Sequence, residues 1–399
     1  MKVLFILTYY RPHVSGLTIY VERLAHALAE RGHEVTVLTS RYAAHLPREE
    51  RMDGVRVVRV PVLFRFNKGV FMPVFPAIAW REIRRADVVS IHLPQIEAAL
   101  SALLARLGGR RPLLTYHCDL QMPPVWYGKL VDRLTYWDNV AAGALADTVV
   151  AYTEDFARHS PFLSRYVRPA RTGEAGQGHK LRVILPPVAI PEPTPEGVAA
   201  LAATIGLPAD TEERPQVIGF AARFAYEKGA DYLINAIPHI LREIPNIRLV
   251  FAGPYGKDVI GETIWDDLQP LIKQYQPYLT FLGTLNPAQM ADFYALCDVV
   301  TVASINNTES FGLVQVEAFM CGTPVVATNL PGVRQPVTMT GMGEIVPIAD
   351  AEALAAGIVK VLCNRQRYIK PRAEIMRRFA LVQTVEAYET LFREKARPA

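Results

Sequence analysis

The chain has 399 residues, 50% of them hydrophobic and 21% charged, with 25 Gly and 30 Pro, which excludes the disordered, collagen-like and coiled-coil classes. At roughly 100–200 residues per domain two domains are expected, each able to bury a core without disulfide or metal support. The net charge of +4 conceals an asymmetry: residues 1–190 hold 25 Lys and Arg against 16 Asp and Glu (+9), and residues 191–399 hold 18 against 23 (−5). A basic half suits an anionic lipid surface or an acidic glycan, and no nucleic-acid motif accompanies it. Cys118, Cys297, Cys321 and Cys363 form no CxxC pair. Neither a zinc site nor a disulfide framework is indicated, and a cytoplasmic setting is expected.

In chain order, the apolar run Val3–Thr8 gives way to Tyr9-Tyr10-Arg11-Pro12 too early for a signal peptide and reads as a strand. Val21, Leu24, Ala25 and Leu28 fall at helical spacing, so a helix is predicted over Ile19–Arg31, stopped by Gly32. Further strands are predicted at Glu34–Thr39, Val55–Val62, Asp87–His92, Leu113–His117, Thr148–Tyr152 and Leu181–Leu185. The run Val70–Trp80 contains Pro73 and Pro76, precedes Arg81, Arg84 and Arg85, and falls short of the ~20 apolar residues of a membrane span. At most it lies on a membrane. Arg171–Gly178 reads as a mobile surface loop, and Pro186–Pro195 is too proline-rich for a central strand or a helix. The domain boundary is placed there, giving domains 1–190 and 191–379.

The second half repeats the rhythm, with strands predicted at Val217–Ala222, Arg248–Ala252, Thr280–Leu282, Val299–Ala303, Pro324–Ala327 and Glu344–Pro347, a helix at Pro287–Leu296, and a tail helix over Glu374–Lys395. Strand–helix alternation predicts an α/β protein of two Rossmann-like, doubly wound parallel-sheet domains facing across a cleft, with ligands at the carboxyl ends of the strands. The P-loop, dinucleotide, zincin and hydrolase signatures are missing, as is D-x-D. No metal is called for.

The densest chemistry lies in Asn306–Pro324. A helix beginning near Gly312 follows the strand Val299–Ala303, with Ser310 as its cap and Gly322 and Pro324 at its end. The amides of Phe311, Gly312 and Leu313 are then free to bind an anion or sugar hydroxyls. Glu309 stands in the loop, and Glu317 is a carboxylate on a largely apolar helix, a costly placement unless it is paired or bound. Taken alone, Glu317 reads as half of a structural salt bridge and Glu227-Lys228 as a solvated pair.

Glu309 and Glu317, in the setting E-S-F-G-L-V-Q-V-E-A-F-M-C-G-T-P-V-V-A, resemble the E-x7-E motif of the retaining family-4 glycosyltransferases of GT-B fold. Gly219–Gly229, with Arg223 and Glu227-Lys228-Gly229, is similar to that family's Arg and Glu-Lys-Gly segment. The resemblance implies that Arg223 and Lys228 neutralise a donor diphosphate. It implies that Glu309, with the amides of Phe311, Gly312 and Leu313, holds the donor hexose, and that Glu317 accepts from ribose hydroxyls. Tyr9–Leu17 resembles the family's glycine-rich first loop, with Ser15 in place of its first glycine and Gly16 keeping the position near the diphosphate. His117 matches the family histidine at the donor sugar or acceptor side. His92 has no match and reads as a satisfied core or surface group. Leu285 falls in the segment whose backbone reads the nucleobase.

The implied activity is metal-independent transfer of a hexosyl group from a UDP- or GDP-sugar to an acceptor hydroxyl with retention. The acceptor is expected to be a sugar or lipid-linked glycan, with Tyr9, Arg65, Lys68, Trp80 and Trp126 as candidate lining residues. No cofactor and no nucleic acid are expected. Peripheral contact with the inner face of the cytoplasmic membrane, through the basic first domain, is a further expectation, and the last residues, about 380–399, are expected to return to that domain. The alternatives are a non-catalytic sugar-nucleotide-binding protein, another GT-B enzyme such as a nucleotide-sugar epimerase or a phosphorylase, and a periplasmic two-domain binding protein.

Overall fold

In the computed structural model, which describes residues 1–66, 69–121, 128–167, 180–207, 214–256 and 264–395, the β-rich runs form two separate sheets. Lys68, Trp126 and the loop 171–178 lie outside the described residues. The chain divides into one unit of Met1–Pro187 with Ala380–Ala399 and a second of Val188–Phe379. The division falls at the front of the proline-rich segment rather than in its middle.

The first unit contains β1 (Lys2–Ile6), β2 (Glu34–Arg41), β3 (Glu49–Met52), β4 (Val55–Pro61), β5 (Phe64–Phe66), β6 (Gly69–Phe71), β7 (Val88–Leu93), β8 (Pro112–Tyr116), β9 (Thr148–Ala151) and β10 (Leu181–Val183). Eight of them form one sheet in the order β10-β9-β8-β7-β1-β2-β4-β3, and β5 and β6 pair as a hairpin. Within the sheet only β3, on the edge, runs antiparallel to its neighbour. Every residue of β7 and β8 is buried, which is the condition of parallel strands covered by helices on both faces. The helices Phe75–Arg85, Ala98–Leu107 and Gly128–Leu145 pack side by side, and the first two bury Phe75, Ile83 and Ala102 against Ile6, Ile91 and Leu114. The helix Gly16–Glu30 packs against the final helix, Leu381–Lys395.

The second unit is an all-parallel sheet of β11 (Gln216–Ala221), β12 (Ile247–Ala252), β13 (Leu279–Gly283), β14 (Val299–Val302), β15 (Val325–Thr328) and β16 (Gly343–Val346). Its order is β13-β12-β11-β14-β15-β16. From β11 the chain winds outward through β12 and β13, then crosses back to β14 and winds the other way. The reversal between β11 and β14 is a topological switch point, and the first unit has its own between β1 and β7. Crevices outside the carboxyl ends of strands at such points are where open α/β sheets hold ligands.

Three differences from the sequence reading have local causes. The first helix begins at Gly16 rather than Ile19 because the Ser15 hydroxyl caps it, accepting from the Thr18 amide at 3.2 Å. Strands β3, β5 and β6 gave no signal, since Glu49-Glu50-Arg51-Met52 has no apolar alternation and the hairpin strands are three residues each. The tail is two helices, Arg372–Phe379 and Leu381–Lys395, parted at Ala380, where the chain leaves the second unit for the first. Ile375 and Phe379 therefore bury in one unit and Val385, Tyr388 and Leu391 in the other, while Val382 is 45% exposed. None of the four cysteines is joined in a disulfide.

Candidate active site

In the second unit the loop that follows β11 is pressed onto the end of β14. Gly229 makes this approach possible: its φ is +68°, and a Cβ there would stand 2.1 Å from the Ala303 carbonyl oxygen. The Ile305 amide donates to the Glu227 carbonyl at 3.0 Å, tying the two loops together. A short 3₁₀ turn, Tyr226–Lys228, then aims Lys228 at the loop leading out of β14. Its ammonium donates to Glu309 Oε2 at 2.6 Å. Arg223, one turn earlier, donates to Glu227.

Glu309 is anchored from its own side as well. The Asn306 side chain accepts from the Thr308 amide at 3.1 Å and its carbonyl accepts from the Glu309 amide at 3.2 Å, folding the loop back on itself. Glu309 Oε1 accepts from the Gly312 amide at 3.0 Å. Burial pushes the Glu309 carboxyl up, but the Lys228 ammonium and the amides of Gly312 and Phe311 outweigh it and hold the carboxyl below its usual value. Glu309 is thus a fixed carboxylate.

This geometry corrects two expectations. The helix runs Leu313–Met320 with Gly312 as its N-cap and no side-chain cap, so Ser310 does not cap it. The amides of Phe311 and Gly312 are not free, because the carboxylate of Glu309 takes them. Glu317 lies on this helix, 9% exposed, and accepts from the Tyr294 hydroxyl at 3.0 Å. Leu285 lies half-buried just ahead of the helix Pro287–Leu296, whose cap is a reciprocal Asn286–Gln289 box. A separate cavity of about 750 Å³, lined by Tyr255, Trp265, Phe281 and Lys273 among others, includes none of the expected residues.

In the first unit, Gly16 opens its helix with nothing within 4 Å of a Cβ built on it. The space beside it is open, and Ser15, the apparent departure from a glycine pair, serves as the helix cap. The loop ahead of it is fixed by Arg11, paired with Glu22 at 2.6 Å, and by buried Arg59, which donates to the Arg11 carbonyl at 2.8 Å.

His117 follows β8, and its backbone N–H donates to the Leu93 carbonyl at 3.0 Å. Strand pairing sets His92 opposite Thr115, so His92 and His117 share one side of the sheet. His92 Nδ1 and His117 Nε2 are joined at 2.9 Å, His92 Nε2 meets Ser90 Oγ at 3.1 Å, and the Tyr152 hydroxyl meets His117 Nδ1. The Tyr20 ring stands edge-on to His117 at 4.8 Å, and its hydroxyl meets that of Tyr388, on the returning last helix, at 2.7 Å. Burial pushes His92 down to about 3, and burial with the neighbouring His92 pushes His117 well below its usual value. Two neutral imidazoles joined Nδ1 to Nε2 must take the same tautomer, both Nδ1–H or both Nε2–H, so Ser90, His92, His117 and Tyr152 form one coupled chain. His92, set aside in the sequence, is an integral part of it. Its i, i+2 spacing from Ser90 on a strand was the available signal.

Tyr9, His13 and Tyr42 also gather at the ends of β1 and β2, with ring centroids 4.9 Å and 5.4 Å from Tyr9. Arg65 donates to the Tyr42 carbonyl at 3.5 Å.

Two doubly wound units, each with a polar cluster near the carboxyl ends of its strands, define a doubly wound α/β protein, a class whose sheets hold ligands at those ends. Residues 208–378 match the family model for glycosyl transferases group 1, and residues 15–173 match that for a glycosyl transferase 4-like domain. The D-inositol 3-phosphate glycosyltransferase of Kineococcus radiotolerans is 31% identical over 95% of this chain and 90% of that protein. The phosphatidyl-myo-inositol mannosyltransferase of Mycolicibacterium smegmatis is 24% identical over 94% and 90%. Among solved structures, sucrose-phosphate synthase of Thermosynechococcus elongatus superposes with a TM-score of 0.73 at 21% identity, covering 98% of each chain. Anabaena HepE in complex with UDP-glucose superposes at 0.71 and 20%, covering 98% of this chain and 99% of that one. The chain belongs to the group 1 glycosyltransferases, with the GT-B fold.

Proposed function

We propose that the protein transfers a hexosyl group from a nucleotide diphosphate sugar to an acceptor hydroxyl, with retention at the anomeric carbon and without a metal. The observation that carries this reading is the Lys228–Glu309 pair, 2.6 Å apart at the switch point of the second sheet. A departing nucleoside diphosphate gains negative charge in the transition state, and cations already fixed in place stabilise that charge without reorganising. Lys228 and Arg223 are the cations assigned to it. Their present carboxylate partners, Glu309 and Glu227, hold both side chains in position.

Glu309, fixed and ionised, accepts from the donor hexose hydroxyls. Glu317, oriented by Tyr294, accepts from the ribose, and Leu285 lies beside the base. In the first unit, Gly16 is assigned to the donor diphosphate and the neutral His117 to the donor sugar or acceptor, and the rings of Tyr9, His13 and Tyr42 offer an apolar platform for an acceptor sugar. No carboxylate is assigned as a nucleophile. Departure of the phosphate and attack by the acceptor then occur on the same face of the sugar, with the leaving phosphate oxygen taking the acceptor proton. UDP and GDP sugars are the donors to test first, since HepE, a fold neighbour, is known with UDP-glucose.

The test is donor turnover with a panel of UDP-, GDP- and ADP-sugars, with Mg²⁺ or with EDTA, following the anomeric proton of the first-formed product by NMR. One donor class yielding product of unchanged anomeric configuration, equally in EDTA, is the expected result. Inverted product overturns the retaining step, and turnover only with Mg²⁺ overturns metal independence.

A further inference from the structure

We propose that the outer face of the first unit's three consecutive helices, Phe75–Arg85, Ala98–Leu107 and Gly128–Leu145, docks on an anionic lipid bilayer. These helices pack side by side against one face of the sheet. Helix Gly128–Leu145 turns Leu130, Leu134 and Trp137 outward, 58%, 62% and 56% exposed, at the i, i+4, i+7 spacing of a single stripe. Lys129 and Arg133 are exposed along one edge of that stripe. Helix Ala98–Leu107 exposes Leu103 and Leu107 beside Arg106. Helix Phe75–Arg85 exposes Trp80 together with Arg81, Arg84 and Arg85, and the Arg84 guanidinium lies 5.7 Å from the Trp80 ring.

The charge pattern selects the occupant. Every exposed charged residue on the three helices is a cation. Their acids are withdrawn: Glu82 is buried between Arg56, Arg81 and Arg85, and Asp132 and Asp138 are half-buried. Large exposed aliphatic residues and tryptophans, bordered by exposed Lys and Arg of which Arg81 and Arg85 pair with the buried Glu82 and Arg106 with Asp147, match the boundary between acyl chains and anionic headgroups, where apolar burial and electrostatic attraction add. No helix among the described residues is long and apolar enough to cross a membrane. This face lies on the bilayer. The surface shares no residue with the donor cluster, so its test reads independently of the proposed reaction.

The experiment is co-sedimentation of the full chain with vesicles of phosphatidylcholine mixed with phosphatidylglycerol, against vesicles of phosphatidylcholine alone. Strong partition to the anionic vesicles, weakened by salt, is expected. The double variants Leu134→Glu/Trp137→Glu and Arg81→Glu/Arg84→Glu are each expected to lower it by about tenfold or more, given the contribution of single cations near such a surface. Circular dichroism and melting temperature verify folding, and the arginine pair, on exposed positions, decides the matter should the apolar pair not fold. Equal partition to both vesicle types overturns the proposal, as does unchanged binding by the arginine variant. A dimer in light scattering that Trp137→Glu dissociates, with no vesicle binding, assigns the face to a second copy of the chain and also overturns it.

Discussion

Lys228 and Glu309 hold each other, so their variants separate charge from structure. Lys228→Met leaves a partly buried carboxylate with its amide donors but no counter-charge, and a stability loss of about 1–3 kcal/mol is expected in urea titration. Its kcat/KM is expected to fall at least about a hundredfold, the scale on which single preorganised electrostatic contacts act. In the proposed reaction His92 acts through His117. His92→Phe removes the partner of His117 Nε2, and kcat is expected to fall by roughly tenfold or more with donor affinity unchanged, while His92→Asn, which keeps a hydrogen-bonding amide, restores most of it. Equal loss in both variants, or a loss confined to donor affinity, contradicts the positioning role. The sequence displayed Glu309, Lys228 and His117 but not their partners. Which atoms a loop carboxylate accepts from depends on how two loops remote in sequence are folded, and no periodicity records that.

At the scale of elements, legibility followed burial. Strands β7 and β8, covered on both faces, announce themselves as continuous apolar runs, and the helix Pro287–Leu296 is bounded by its own capping residues. Strand β3 exists because β4 offers it an edge, a tertiary cause that Glu49–Met52 does not encode. Gly229 shows the converse, a sequence position whose identity is dictated by one contact. Gly229→Ala must place a Cβ against the Ala303 carbonyl at positive φ, and a loss of about 2 kcal/mol or more is expected, with the Lys228 loop displaced and donor binding weakened in proportion.

The start of the helix Ala98–Leu107 gives a pH prediction. Burial raises Glu97 to about 7, aided by nearby Asp138, and burial raises Asp138 itself to about 6. The folded state therefore binds these protons more tightly than the unfolded one, so their contribution is present at low pH and is lost as pH rises through the folded values. Glu97→Gln is expected to flatten the fall of the urea midpoint between about pH 5 and 8. A midpoint falling as steeply as in wild type contradicts the assignment.

Across the whole molecule, the first unit is assembled from both ends of the chain. Tyr388 is fully buried against Tyr20 and Thr115, and Phe392 against Phe5, so the last helix is part of the first unit's core. Ending the chain at Phe379 is expected to unfold that unit, and limited proteolysis of the truncated chain checks it: early cleavage within residues 1–187 is predicted, and protection there equal to wild type contradicts it. Two-domain organisation and the charge asymmetry were legible from composition and the proline-rich midpoint. The break at Ala380 was not, because the apolar spacing runs nearly unbroken from Ile375 to Leu391 while serving two different cores.

The central claim is that the switch point of the second sheet is a nucleotide diphosphate sugar site. It is tested most directly by thermal shift of the full chain with UDP, GDP, ADP and their sugar conjugates, with and without Mg²⁺, in wild type, Lys228→Met and Glu317→Ala. A ligand that binds only the folded form raises the melting temperature by mass action. One nucleotide class is predicted to raise it in wild type, with or without Mg²⁺, and to lose that effect in both variants. A shift from no nucleotide, or one of equal size in Lys228→Met, contradicts the assignment.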